Sequence, residues 1–253
     1  MRWRIARASV PGTSHTEQGL SCQDRCRGGV ATTACGTRLL IAVAADGAGS
    51  AEFGGDGAHL AVTTVTHWCK TALLQRPPLL DESVGFECLR AVRQRLLLFA
   101  SEEGLAPREL ACTLLVAIVG PGAALLAQIG DGGIVVECDG QFSIPLWPQA
   151  GEFANSTYFA TDDDADSHWR VVRVDKSVQG VAMFTDGIQR LALDFARHEV
   201  HTPFFEPLFA GLRGAPDDDS KTLDEAMRQM LDSSAINERT DDDKTLVLAA
   251  LRP

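Results

Sequence analysis

Three short apolar runs in this 253-residue chain stop at the same dipeptide: "LLIAVAA" at Asp46-Gly47, "AALLAQIG" at Asp131-Gly132 and "GVAMFT" at Asp186-Gly187. A fourth run, "TLVLAAL", is preceded instead by Asp242, Asp243 and Lys244. Runs this short, bounded by turn residues and rich in β-branched or alternating side chains, read as strands. Each acid therefore sits at a strand end. The strand fixes it, and a following glycine lets the backbone turn close to whatever the carboxylate binds. One Asp-Gly step is an ordinary turn, but the repetition points to a gathered set of carboxylates. Such a set repels itself unless cations neutralise it, and oxygen donors without His or Cys nearby select magnesium or manganese over zinc.

Strands are expected at residues 2–9, 38–45, 112–119, 123–129, 133–138, 169–175, 180–184 and 245–251. Helical periodicity marks 55–74 and 82–103, and two further helices are expected near 203–212 and 221–236. Neighbouring strands joined by short turns, with helices gathered in pairs, indicate mostly antiparallel sheets covered by helix layers and not a βαβ series. With 45% of its residues hydrophobic, the chain is long enough for one large core, so residues 1–253 are expected to form a single α+β domain.

A formal charge of −11, from 34 acidic against 23 basic residues, argues against a nucleic-acid backbone binder but not against cations. No apolar stretch approaches the roughly 20 residues that span a bilayer, and the N-terminus lacks a continuous apolar export segment. A cytoplasmic protein, not membrane-bound, is expected. The seven cysteines are scattered without CxxC pairs, as reduced thiols are. None has an arginine six residues on, which excludes a cysteine phosphatase, and no P-loop, HExxH or GxSxG motif occurs.

Five segments in order, "SCQDR" (21–25), "VAADGAGS" (43–50), "QIGDGG" (128–133), "MFTDGIQ" (183–189) and "TDDDKTLVLA" (240–249), resemble the successive motifs of metal-dependent type 2C serine/threonine protein phosphatases. The resemblance covers nearly the whole chain and is to a compact bacterial branch. It implies a four-layer α-β-β-α sandwich, two mostly antiparallel sheets flanked by helix pairs, with a metal cleft at one edge. It further implies two Mn2+ or Mg2+ ions, a water bridging them that attacks phosphoserine or phosphothreonine, and a phosphorylated protein substrate with a cognate kinase. By position, Asp46 would bridge the ions, the Gly47 carbonyl would ligate one, and Asp186 and Asp242 would hold the first. Gln23 falls where a glutamate usually binds the second ion, Asp24 matches an acid that binds metal-bound water, and Asp131 matches one that holds a third, weaker ion. A monomer is expected.

The chain departs from that pattern. Gln23 is neutral where a carboxylate is usual. Ala48 stands where many eukaryotic members place a histidine, and Gly19 where an arginine often grips phosphate. His15 and Arg25 are the candidates to replace that arginine, His15 being alternatively a turn cap. Asp243 replaces an asparagine, which leaves open whether Asp241, Asp242 or Asp243 is the ligand. The segment 145–169 corresponds to a flap beside the cleft, and Asn155 within "GEFANSTYF" is the candidate for substrate contact. The rival reading is a pseudophosphatase that binds a phosphoprotein or metal without turnover.

Overall fold

The apolar runs pair as antiparallel strands. The computed structural model describes residues 2–75, 80–149, 157–216 and 220–252. In chain order its strands are β1 (Trp3–Val10), β2 (Arg25–Thr32), β3 (Arg38–Ala45), β4 (Leu114–Gly120), β5 (Ala123–Ile129), β6 (Gly133–Cys138), β7 (Gln141–Ser143), β8 (Arg170–Val174), β9 (Gly180–Phe184), β10 (Leu193–Asp194), β11 (Glu199–Val200) and β12 (Lys244–Leu251). One sheet has the order β1-β12-β9-β6-β7, the other β2-β3-β4-β5-β8, and β10 and β11 form a two-stranded ribbon.

Three apolar cores set the layers. Leu40, Ala42, Leu115, Ala117, Met183 and Val247 pack between the two sheets. On the outer face of the second sheet, Val43, Val116 and Leu125 meet the helices Gly54–Trp68 and Glu82–Glu103. On the outer face of the first, Ala182, Leu246 and Leu248 meet Phe205 and Phe209 of the helix Thr202–Gly214 and Leu231 of the helix Ser220–Leu231. The result is a four-layer α-β-β-α sandwich. Strands covered on both faces should be apolar throughout rather than alternating, and β9 is buried at all five positions. β1, at a sheet edge, alternates instead.

Helix limits follow local chemistry. The helix Glu82–Glu103 begins after Asp81, whose carboxylate accepts from the Val84 N–H, and it stops at Gly104, which takes a left-handed φ of 70°. The periodicity over 55–74 continues past Trp68 as a wider turn through Leu73, and that over 221–236 breaks at Leu231 before a short turn Ser234–Asn237. β2, β7 and the β10–β11 ribbon lie outside the expected strands. The β2 sequence "RCRGGVAT" has neither a continuous apolar run nor clean alternation.

Register decides where the acids go. In the second sheet Arg25 pairs with Ala45 and Leu114 with Ile129. Asp24, Asp46, Thr113 and Asp131 therefore leave the sheet at one end. In the first sheet Phe184 lies opposite both Leu246 and Gly133, and Val10 opposite Lys244. Asp186, Asp131, Asp243 and the turn at Pro11–Gly12 therefore emerge together. β5 and β6, one in each sheet, are joined through Gly130–Asp131–Gly132, so the two ends coincide.

Candidate active site

The strand ends open onto a cleft of about 810 Å³ whose lining includes Asp131, Asp186, Asp242, Arg190 and Arg239. Each acid is fixed by its own main chain. The Asp46 N–H donates to Thr113 Oγ1 at 3.0 Å, and the Thr113 N–H returns a bond of 2.8 Å to the Asp46 carbonyl. Gly47 bridges to Cys112, and a β-carbon on Gly47 would run into the backbone of Gly54 and Gly55. Gly187 is equally constrained, because its α-carbon faces the Asp243 carbonyl too closely for any side chain. These two glycines allow the tight turns that follow the acids.

Asp24 is 1% exposed. Its Oδ2 accepts from Thr185 Oγ1 at 2.7 Å, and Thr185 Oγ1 accepts in turn from the Thr245 N–H at 3.0 Å. Thr245 Oγ1 then donates to Ser9 Oγ at 2.6 Å. This chain of bonds ties the base of β2 to β9, β12 and β1, and so joins the two sheets at the cleft. The threonines were not expected from the sequence; the signal available was a hydroxyl directly before Asp186 and another after Lys244, on strands already assigned.

The acids share one electrostatic problem. Burial, then the charges of Asp24 and Asp186, hold the Asp46 carboxyl well above the usual range. Asp186 is pushed up to about 8 by burial and then by Asp131 and Asp242. Asp24 is pushed up to about 6 by burial, against the hydrogen bond from Thr185. Asp131 and Asp242 are raised as well, burial again being the main cause. Desolvated carboxylates facing one another favour the neutral form until a cation arrives.

Hydrogen bonding distinguishes Asp243 from Asp242. Asp243, only 2% exposed, accepts from the Gly12 N–H (2.7 Å), the Gln23 N–H (2.5 Å) and His15 Nδ1 (2.8 Å). Its oxygens are engaged by the protein itself. Asp242 lines the cleft, and among the described residues its carboxylate receives only the N–H of Asp243 on Oδ1. His15 is thus turned onto Asp243, as a turn cap would be. Arg25 donates to the carbonyls of Cys22 and Asp24 and lines a separate depression with Arg7 and Arg228. Neither His15 nor Arg25 lines the acidic cleft, and the same holds for Gln23, Asp24, Asp46 and Gly47, Asp24 lining the depression that Arg25 lines. Asn155 lies outside the described residues.

The donor set suits a hard divalent cation. Every group is an oxygen, and two buried oxygens, Gln23 Oε1 and Asp24 Oδ1, have no hydrogen-bond partner. Among the described residues no three His, Cys, Asp or Glu side chains already converge on a single point.

A two-sheet sandwich with helix pairs outside is the fold of bacterial serine/threonine phosphatases of known structure. Stp1 from Staphylococcus aureus superposes with a TM-score of 0.64 at 14% identity, covering 100% of this chain and 96% of that one. The catalytic domain of the serine threonine protein phosphatase PstP, solved with 2 manganese ions, superposes with a TM-score of 0.63 at 13% identity and 99% coverage of both chains. The protein phosphatase 2C family model matches residues 11–232. Serine/threonine-protein phosphatase 3 of Escherichia coli strain K12 is 43% identical over 249 residues, 98% of each chain. The chain belongs to the protein phosphatase 2C family.

Proposed function

We propose that this protein is a metal-dependent phosphatase that hydrolyses phosphoserine and phosphothreonine in proteins. The observation that carries it is the register of the two sheets, which delivers Asp24, Asp46, Asp131, Asp186 and Asp242 to one end of the sandwich. Family membership and the 43% identical phosphatase support the same reaction. Asp186 and Asp242 would hold a first Mn2+ or Mg2+, Gln23 and Asp24 would serve a second, Asp46 would serve both, the Gly47 carbonyl one of them, and Asp131 a weaker third. Such ions, when bound, supply an acidified water for in-line attack and neutralise phosphoryl charge.

The chain's own part is positioning. Thr113 holds the Asp46 backbone, and Thr185 aims one oxygen of Asp24 while leaving the other without a partner. Asp243 holds Gln23 by its N–H, which fixes the main chain from which the Gln23 amide reaches the site. The 7% exposed Ala48 places no acid at its position, so protonation of the departing serine or threonine oxygen falls to water or another group. The retention of Asp46, Asp186 and Asp242 together weighs against a binding module without turnover.

The test is hydrolysis of p-nitrophenyl phosphate and phosphoserine or phosphothreonine peptides in manganese or magnesium. Activity should vanish with EDTA and survive thiol alkylation. Asp46→Ala and Asp186→Ala should each lose on the order of a hundredfold or more, while Asp131→Ala should mainly raise the metal required. Near-normal turnover by Asp46→Ala with normal folding would place the centre elsewhere, and wild-type protein inert in millimolar manganese would favour the binding-module reading.

A further inference from the structure

We infer that Arg190 and Arg239 hold the phosphoryl group of the substrate, an inference that rests on the phosphatase reading. A phosphoserine dianion entering this cleft meets Asp131, Asp186 and Asp242, so cationic groups of the chain should meet it too. The position where the family resemblance places an arginine is Gly19, where an added β-carbon would find nothing within 4 Å. His15 and Arg25 are engaged with Asp243 and backbone carbonyls.

The cleft itself supplies two guanidinium groups. Most of its lining comes from three chain segments, Trp147–Gln149, Asp186–Leu191 and Arg239–Asp242, with Asp131 and Phe195 beside them, and two of the three bring an arginine. Both arginines are exposed, and neither side chain has a hydrogen-bond or carboxylate partner among the described residues. That contrasts with Arg93, Arg170 and Arg213, whose guanidinium groups are committed to carbonyls or to Glu137.

The backbone beneath each arginine is anchored. Arg190 lies one turn after Asp186, between Gln189, whose Nε2 donates to the Asp131 carbonyl, and the buried Leu191. Arg239 precedes Asp241, whose carbonyl accepts from both the N–H and the hydroxyl of Ser14. A fixed base with an unpaired fork suits phosphate, whose oxygens take two parallel N–H bonds from one guanidinium. Because the same two segments carry Asp186 and Asp242, the arginines and the acids reach the phosphoryl group from shared supports.

The variants are Arg190→Ala, Arg239→Ala, Arg190→Lys and the double alanine form, each checked for an unchanged melting curve. Losing a charge-assisted bond to phosphate should raise KM for both p-nitrophenyl phosphate and a phosphoserine peptide by roughly ten- to a hundredfold. The manganese needed for half-maximal activity should not move. Calorimetry with a phosphonate analogue of the peptide, in manganese, should show the same loss of affinity, and Arg190→Lys should recover only part of it. Wild-type KM and wild-type phosphonate affinity in the double variant would overturn the assignment. So would a loss confined to peptides with acidic residues beside the phosphoserine, since the arginines would then read the flanks and not the phosphoryl group. A wild-type protein without turnover would sink the phosphatase reading alone, because the calorimetric comparison still decides whether these arginines hold the phosphonate.

Discussion

Replacing Asp243 by alanine should unfold this protein more readily than any change to its neighbour Asp242. The Asp243 carboxylate accepts from the Gly12 N–H, the Gln23 N–H and His15 Nδ1 at 2.7, 2.5 and 2.8 Å. Deleting it leaves two main-chain donors and a ring nitrogen without their acceptor, at roughly 1–3 kcal/mol each. The His15 side chain retains 15% exposure and can turn to water, so it contributes least. Removing the charge also relieves Asp242, whose carboxyl Asp243 pushes up, and that offsets part of the loss. A net cost of about 3 kcal/mol remains, which for a chain of this length lowers the melting temperature by on the order of 10 °C. Asp243→Asn keeps one acceptor oxygen and should lose about half as much. Asp242→Ala, at an exposed position, should melt within about 2 °C of wild type while losing activity. Scanning calorimetry in EDTA reads all three, and an Asp243→Ala protein with the wild-type midpoint would refute the role assigned to this residue.

Two other outcomes follow from the site. If the unpartnered Gln23 Oε1 faces an ion, Gln23→Glu should lower the manganese needed for half-maximal activity, and superimposed manganese titrations of the two proteins by calorimetry would remove Gln23 from the centre. Asp186 and Asp24 are raised to about 8 and about 6. A raised carboxyl pKa gives its full stabilisation below the unfolded value and loses it as pH climbs through the folded one, so metal-free protein should be destabilised by this cluster between about pH 4 and about pH 8. The melting temperature of Asp186→Asn relative to wild type, in EDTA, should therefore increase across that window; a difference that stays constant would show that the acids do not repel as described.

Strands covered on both faces carried the plainest signal, and the edge strands β1 and β8 were also expected, at 2–9 and 169–175. β3, β5, β6 and β9 match the expected 38–45, 123–129, 133–138 and 180–184 because a strand covered on both faces must be apolar along its length. β2 escaped notice, since its glycines and arginines carry no such signature and only pairing with β3 makes it a strand. The acids were legible for the same reason as their strands. Partner choice was not: nothing in "TDDDK" separates Asp242 from Asp243, and only the approach of Gly12, His15 and Gln23, more than 200 residues distant, commits one of them to structure. Arg190 and Arg239 were invisible as a pair because the cleft that unites them is made by folding.

β12 lies between β1 and β9, so residues near position 5 and near position 249 must meet before the first sheet is continuous. Contacts of such long sequence separation form slowly. Asp24 takes its hydroxyl from Thr185, and Thr185 takes its N–H from Thr245 at the start of β12. On the ribosome, then, a chain that has emerged through Asp186 already carries Asp46, Asp131 and Asp186 but lacks both β12, whose Thr245 bonds to Thr185, and Asp242. A chain cut before β12 should therefore show no phosphatase activity on the proposed reading, although it keeps Asp46, Asp131 and Asp186.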